Sequence, residues 1–365
     1  MADCLIGLGS NLGDRVAQLD QAIHRFCGSS DVTLREVSRY HETPAVGGPP
    51  GQARFLNAVM RITTDLPPLQ LLARAQQVEG ELGRRRWEHW GPRSIDIDVL
   101  LYDLLVMTTE ELVVPHPWMA VRRFVLEPAC EVGADLIHPP TGWTVAQLRT
   151  RLDQPPCYIA ICCADEYWIN HLIAAATHHM DATVFHGHRG FTAPPPAAGG
   201  HGVAPRLETE LAWLTARRNI LGSIQTEGGQ ERVYLSDFWL NQSLAVARTW
   251  PPGRERVALH RACQAAIEQC PQPRFVLHLD CTAALATDQR AARYPRHPLP
   301  SPAPKNAPDS TRIVRHQQRG ESRTPVLLPA VESLAQQLRC QLARTGQSPV
   351  LRVRATDTNA ALVTL

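Results

Sequence analysis

Residues 84–98, Arg-Arg-Arg-Trp-Glu-His-Trp-Gly-Pro-Arg-Ser-Ile-Asp-Ile-Asp, set a dense cluster of cations directly before two carboxylates spaced i, i+2. Ile95, Ile97, Val99 and Leu100-Leu101 read as a strand, so Asp96 and Asp98 project from the same face of it. Two carboxylates that close repel unless a divalent cation sits between them. Arginines beside such a pair suit a ligand that brings its own negative charge, and a nucleoside triphosphate is the obvious one. The plainer reading is a solvated basic turn before a half-polar strand. Gly91-Pro92 sharpens the turn, and carboxylates are costly in so apolar a strand, so the functional reading is preferred.

The elements that must hold these groups follow from the first 150 residues. Cys4 to Leu8 is an apolar strand running into Gly7-Leu8-Gly9-Ser10-Asn11-Leu12-Gly13-Asp14, a tight loop with Asp14 placed to cap the next helix. That loop lacks the third glycine of a dinucleotide fingerprint and the lysine of a P-loop. Val16, Leu19, Ile23 and Phe26 recur at helical spacing, Val32 to Tyr40 alternates as a strand, and residues 43–51 form a Gly/Pro loop. Phe55 to Ile62 is a second strand, and Pro67 opens a helix carrying Leu69, Leu72, Gln76, Val78 and Leu82. The Asp-x-Asp strand runs to Tyr102, residues 113–117 are extended, and Val121 to Cys130 is helical. The order β-α-β-β-α-β predicts an α+β, ferredoxin-like arrangement: two helices on one face of a four-stranded antiparallel sheet, with the other face and the loops left for the site. Fold alone assigns no chemistry.

Gly-Ser-Asn-Leu-Gly-Asp at 9–14, Phe-Leu-Asn at 55–57, Glu79 to Arg84, Arg86 with Trp90-Gly-Pro-Arg93, Asp96-Ile-Asp98, and Pro115-His116-Pro117 followed by Arg122 and Phe124 together resemble 6-hydroxymethyl-7,8-dihydropterin pyrophosphokinase. The resemblance covers about residues 4–150. It implies transfer of the β,γ-pyrophosphoryl unit of ATP to the hydroxymethyl group of a reduced pterin, a step of folate synthesis. Asp96 and Asp98 would hold two Mg²⁺ ions, and Arg84 and Arg93 would neutralise the transferred unit. Gln76, Arg86, His116 and Arg122 would serve ATP, and Trp90 would help close a lid. Phe55 and Phe124 would sandwich the pterin, Asn57 would bond its edge, Thr43 and Val46 would bond it through the backbone, and Ser10 would line the pocket. Taken singly, Phe55 and Phe124 read equally well as core aromatics, and His116 as a surface turn. A strand Asn such as Asn57 is more telling, because a buried amide needs a partner.

The chain has 365 residues, which suggests two domains, divided as 1–150, a linker 151–157, and 158–365. Formal net charge is +2, so nothing indicates bulk attraction to nucleic acid or to a membrane. The charge is uneven: residues 1–150 hold 14 Arg, no Lys and 18 acidic residues, and Lys305 is the single lysine. Ten cysteines form no regular framework and read as reduced thiols. Without a basic n-region or a long apolar run, a cytoplasmic protein is expected.

The second half alternates strands and helices, which predicts a parallel α/β sheet: strands at 158–161, 232–238, 275–280 and 349–353, and helices at 172–176, 207–221, 257–269 and 326–344. Residues 295–324 read as disordered. Tyr-Ile-Ala-Ile at 158–161, Glu-Thr-Glu-Leu-Ala-Trp-Leu at 208–214, Leu-Ser-Asp-Phe-Trp-Leu-Asn-Gln-Ser-Leu at 235–244 and Phe-Val-Leu-His-Leu-Asp at 275–280 resemble, more weakly, the deoxynucleoside kinases of the P-loop class. The phosphate loop is absent: Cys162 to Asn170 contains no glycine, with Ile169 at the Lys position and Asn170 at the Ser/Thr position. A kinase-like domain that has lost phosphoryl transfer is therefore expected, and self-association, if any, is assigned to it. His178, His179, His186 and His188 read as surface histidines, since no matching Cys or carboxylate pattern accompanies them. The alternatives are a live nucleoside kinase, making the chain bifunctional, or an assembly protein that keeps both folds and neither activity.

Overall fold

Nearly every residue of β1 (Ala2–Ser10) is buried, because the strand pairs antiparallel on both edges, with β4 (Phe55–Thr64) and with β5 (Asp96–Tyr102). The structure, a computed structural model, describes residues 1–46, 49, 51–84, 91–163, 166–187, 207–227, 232–249, 253–280 and 348–354. Arg86, Trp90, His188, Lys305, the segment 295–324 and the expected helix 326–344 lie outside these residues. The second edge of β4 takes β2 (Val32–Val37) and then β3 (His41–Thr43), so the path across the sheet is β2-β4-β1-β5 with β3 beside β4. The four expected strands are present and antiparallel; β3 is an addition that the Gly/Pro composition of the following loop concealed.

Alternation sorts the two faces. Cys4, Ile6 and Leu8 of β1, Ala58, Met60 and Ile62 of β4, and Ile97 and Val99 of β5 pack beneath α1 (Arg15–Phe26) and α2 (Pro68–Glu81). Asp14 caps α1 as expected, its Oδ1 accepting from Ala17 N at 3.0 Å, a contact worth about 1 kcal/mol. The opposite face is less bare than the simple two-layer expectation. Leu5, Val59, Leu100 and Leu101 are covered by α3 (Arg123–Gly133) and α4 (Val145–Asp153) through Leu126, Ala129, Val132, Val145 and Leu148. A register shift between Leu5 and Ile6 bulges β5 against β1, and the adjacent Leu100 and Leu101 both enter this core. Two small hairpins complete the unit, β6 (Met107–Thr108) with β7 (Val113–Val114), and β8 (Ile137–His138) with β9 (Trp143–Thr144).

Helix α4 occupies residues 145–153, so the first three of the seven residues expected as linker are helical. It begins with a capping box: Gln147 N donates to Thr144 Oγ1 at 3.2 Å, and Thr144 N donates to Gln147 Oε1 at 2.8 Å.

The second unit is a five-stranded, fully parallel sheet of β10 (Cys157–Cys163), β11 (Ala182–Phe185), β12 (Val233–Ser236), β13 (Phe275–Asp280) and β14 (Val350–Arg354). Its spatial order is β11-β12-β10-β13-β14. The chain between strands forms α5 (Glu166–His179), α6 (Leu207–Glu227), α7 (Leu240–Thr249) and α8 (Arg254–Gln269). This is the expected α/β architecture, with β11 and α7 as unanticipated elements. His186 is exposed, as expected of a surface histidine, and is also tethered. Its Nδ1 lies 2.7 Å from Asp237 Oδ2, and Asp237 Oδ1 accepts from Gly187 N at 2.7 Å, tying the ends of β11 and β12 together.

The two units meet through α4 and its exit. Arg151 Nη2 donates to the Gln272 and Pro273 carbonyls at 2.7 and 3.2 Å, and Arg274 Nη2 donates to the Gln154 carbonyl at 2.7 Å. None of the eight described cysteines is in a disulfide. Among the described residues no helix is long and apolar enough to cross a membrane.

Candidate active site

The face of β1 opposite α1 and α2 carries Gly7 and Gly9, and these two residues set the floor of the site. Gly9 is paired with Asn57 on one side and Asp96 on the other, and Asn57 is paired with His41. Gly7 is paired with Val59 and Asp98. Cross-strand partners share a face, so Asp96, Asp98 and Asn57 stand around a strip with no side chains of its own. A Cβ on Gly9 would sit 3.3 Å from Asn57 Oδ1 and 3.9 Å from both the Asp96 Cβ and the Phe55 ring.

Arg84 is delivered by the end of α2. Gly83 adopts φ 75°, Gly83 N donates to the Gly80 carbonyl at 3.1 Å, and Arg84 N donates to the Glu79 carbonyl at 3.0 Å. This is a Schellman ending, and it folds Arg84 back over its own helix. There its guanidinium pairs with Glu79 and, at 2.6 Å, with Asp96 Oδ1. Glu79 is buried, and its Oε1 also accepts from Ile97 N at 2.8 Å, so one carboxylate ties α2 to the strand between the two aspartates. A carboxylate near a helix end is ordinarily solvated; the burial of Glu79 makes it a tether instead.

Arg93 reaches Asp96 from the other side, at 2.9 Å from Oδ2, and lies over the Phe55 ring, 5.4 Å from its centroid. Its backbone is pinned by Asn11: Arg93 N donates to Asn11 Oδ1 at 2.8 Å, and Asn11 N donates to the Arg93 carbonyl at 3.2 Å. Asn11 also reaches Gln52 Oε1 and the Ala53 carbonyl, both at 3.3 Å. Its signal in the sequence is an amide inside a glycine loop, and the structure buries it with these partners.

Asp96 and Asp98 are half-buried. Burial raises the pKa of Asp96, its neighbour Asp98 raises it further, and Arg93 and Arg84 oppose the shift. Burial also raises that of Asp98, against Arg122, Arg93 and Arg84. Such a pair is under-compensated and receptive to added positive charge. His116 is held neutral, its pKa pushed down to about 3 by burial and then by Arg122. Trp118 N donates to His116 Nδ1 at 3.2 Å, which leaves Nε2 to carry the proton and act as a donor. The Arg122 guanidinium lies 5.5 Å from the ring centroids of both Trp118 and Phe124.

The structure therefore brings together Arg84, Arg93, Asp96, Asp98, His116, Arg122, Phe55, Phe124, Asn57 and Thr43, the last two joined by an Asn57 Nδ2 to Thr43 Oγ1 hydrogen bond of 2.8 Å. It does not bring in Gln76, which is exposed on α2 while Ala75, Val78 and Glu79 turn inward. Ser10 is fully buried, and alternation places its side chain on the helix-covered face, so only its backbone borders the site. Val46 is exposed in the loop after β3.

Paired carboxylates on a glycine floor, ringed by arginines and a neutral histidine, define a kinase-type transferase on a ferredoxin-like sheet. A family model for 7,8-dihydro-6-hydroxymethylpterin-pyrophosphokinase (HPPK) matches residues 5–134. The 2-amino-4-hydroxy-6-hydroxymethyldihydropteridine pyrophosphokinase of Bacillus subtilis (strain 168) is 47% identical over 127 residues, spanning 35% of this chain and 75% of the relative. The corresponding Aquifex aeolicus (strain VF5) protein is 40% identical over 139 residues, 38% of this chain and 85% of its own length. That of Methylorubrum extorquens is 39% identical over 153 residues, 42% of this chain and 95% of its own. The chain belongs to this family, the 2-amino-4-hydroxy-6-hydroxymethyldihydropteridine pyrophosphokinases of folate biosynthesis, which use ATP as co-substrate. The family match lies within the first unit.

Proposed function

We propose that the site formed by Arg84, Arg93, Asp96 and Asp98 transfers the pyrophosphoryl unit of ATP to the hydroxymethyl oxygen of 6-hydroxymethyl-7,8-dihydropterin. The pterin hydroxyl oxygen attacks the β-phosphorus and gives up its proton to solvent, the bond from the α,β-bridging oxygen to that phosphorus breaks, and AMP leaves. The observation that carries this reading is Asp96, gripped from two sides by Arg84 and Arg93, with Asp98 beside it over a side-chain-free floor. When ATP binds, the two arginines exchange Asp96 for phosphate oxygens, and Asp96 becomes free to ligate. Asp96 and Asp98 are hard oxygen donors and would hold Mg²⁺, in two ions. Among the described residues no cluster of three ligating side chains stands by, which suits a metal that takes one or two carboxylates with water and substrate phosphates. Bound there, Mg²⁺ would supply charge neutralisation at the phosphate oxygens and activation of the attacking hydroxyl.

The remaining residues position and neutralise. His116 donates through Nε2 to a phosphate oxygen and stays neutral through the physiological range. Arg122 adds charge beside Asp98. Phe55 and Phe124 hold the pterin ring, Asn57 and Thr43 bond its edge, and the backbones of Ser10, Thr43 and Val46 border it. Arg86 and Trp90 would complete the ATP side.

We read the second unit, residues 158–365, as a deoxynucleoside-kinase-like domain that has lost phosphoryl transfer. Ile169, at the position of the P-loop lysine, is buried in the core of that unit with Leu172 and Ile173. A cytoplasmic location fits the absence of disulfides among the described cysteines, and the second unit is where self-association would be sought.

The test is AMP release from ATP and Mg²⁺ by the full-length chain, with and without the hydroxymethyl pterin. Pterin-dependent AMP formation is expected, and Asp98→Ala should abolish it. ADP in place of AMP would mean a different reaction class, and no turnover would favour an assembly protein.

A further inference from the structure

Residues 116–122 belong to two cores at once. Met119 and Ala120 are buried with α3 and α4 against the first sheet. Trp118 and Val121 turn the other way and pack against the second unit's sheet, on the cluster that includes Ile159, Ile161, Ile169 and Leu172. The same Trp118 ring is one of two faces that flank the Arg122 guanidinium, 5.5 Å from its centroid. The Trp118 backbone N–H, at 3.2 Å from His116 Nδ1, orients the histidine. Among the described residues the Arg122 guanidinium forms no hydrogen bond or ion pair, so its direction is set by these two rings together with the longer-range pull of Asp98 and Asp96. His116 itself is fixed to the first sheet by its N–H to the Leu100 carbonyl, 2.9 Å.

We infer that Trp118 is a positioning residue for the ATP side of the site, seated by the second unit and acting through Arg122. The ring serves as a knob in one core and as a platform in the other. The second unit thereby contributes to pyrophosphoryl transfer without chemistry of its own. The inference rests on the proposed assignment of Arg122 to ATP. Cation–π contacts of this kind are worth a few-fold to some thirtyfold in binding, depending on desolvation.

The experiment compares Trp118→Leu and Trp118→Phe in the full-length chain, measuring KM for ATP, KM for the pterin and kcat for AMP formation. Both replacements keep an apolar knob for the second core, but only Phe keeps a π face for Arg122. The expected result is a rise of about tenfold in the ATP KM for Trp118→Leu, with Trp118→Phe within about threefold of wild type. The pterin KM should stay within about twofold in both. A purely structural role would lower kcat in proportion to the active fraction and leave the ATP KM unmoved, and that result overturns the inference. So does an equal rise in the two variants. A wild-type chain that forms no AMP overturns the functional reading first; an active wild type with an unmoved ATP KM in Trp118→Leu overturns only the role of Trp118.

Discussion

Gly9 matters because of what it leaves empty. Its neighbours on either strand are Asn57 and Asp96, one assigned to the pterin and one to the metal, and the Phe55 ring closes the third side. A methyl group there would lie 3.3 Å from Asn57 Oδ1 and would force the amide to give way. We expect Gly9→Ala to raise the pterin KM by about fivefold or more, the equivalent of about 1 kcal/mol of crowding, while the ATP KM stays within about twofold. Steady-state kinetics with each substrate varied in turn would check it, and an unchanged pterin KM would refute it. Asp96 and Asp98 answer a different requirement. Burial raises both pKa values, Asp98 raises that of Asp96 further, and the arginines only partly offset this. The carboxylates thus gain when positive charge arrives with the substrate.

At the scale of elements, the end of α2 does as much for the site as the strand that bears the aspartates. The Schellman turn at Gly83 reverses the chain, and Glu79 then holds Arg84 and the Ile97 amide together. The hairpin β8–β9, which leads into α4, carries a titratable group of a different kind. His138 is buried, its Nδ1 lies 3.0 Å from Thr141 Oγ1, and burial pushes its pKa down to about 4. Between that value and the ordinary histidine value of about 6.5 the unfolded chain binds the extra proton, so stability rises with pH through the window. The contribution is complete above pH ~6.5 and is lost as pH falls towards ~4, on the order of 3 kcal/mol in all. Urea unfolding of wild type and His138→Gln at several pH values should show a steeper loss for wild type between about pH 6.5 and 4. Parallel curves would show that His138 titrates normally in the folded chain.

At the scale of the molecule, two sheets of opposite construction are joined by a short connection and by arginine-to-carbonyl bonds from Arg151 and Arg274. The first unit is antiparallel and opens its site on one sheet face; the second is parallel, with helices between its strands. Under the proposed reading the second unit has no triphosphate site, because Ile169 fills a core position where a lysine would be needed. The full-length Asp98→Ala chain, with its first site disabled, is therefore expected to show no ATP-dependent phosphorylation of deoxynucleosides. Any such product, detected by chromatography, would make the chain bifunctional.

Much of this was legible in the residues. Strand alternation is imposed by covalent geometry, so Asp96 and Asp98 had to share a face and Ile97 had to turn away. Helical periodicity in α1 and α2, the Asp14 cap and the order of elements likewise depend on local spacing. The capping box Thr144–Gln147 is equally local, and it makes residues 151–153 the end of α4 rather than linker. The inward stripe is Leu71, Ala75 and Val78 rather than Leu69, Leu72 and Gln76, so Gln76 faces outward. What local spacing cannot determine is which distant groups meet. The burial of Glu79 between α2 and β5, the grip of Asn11 on Arg93, the cover of α3 and α4, and the seating of Trp118 all join residues far apart in sequence. Those contacts arise only when two cores close and each buried polar group must find its partner. Local spacing sets the carboxylate pair and the sheet that presents it. Which arginines hold that pair, and which unit stands behind them, depends on the packing of distant segments, because side-chain pairing is settled by packing rather than by period.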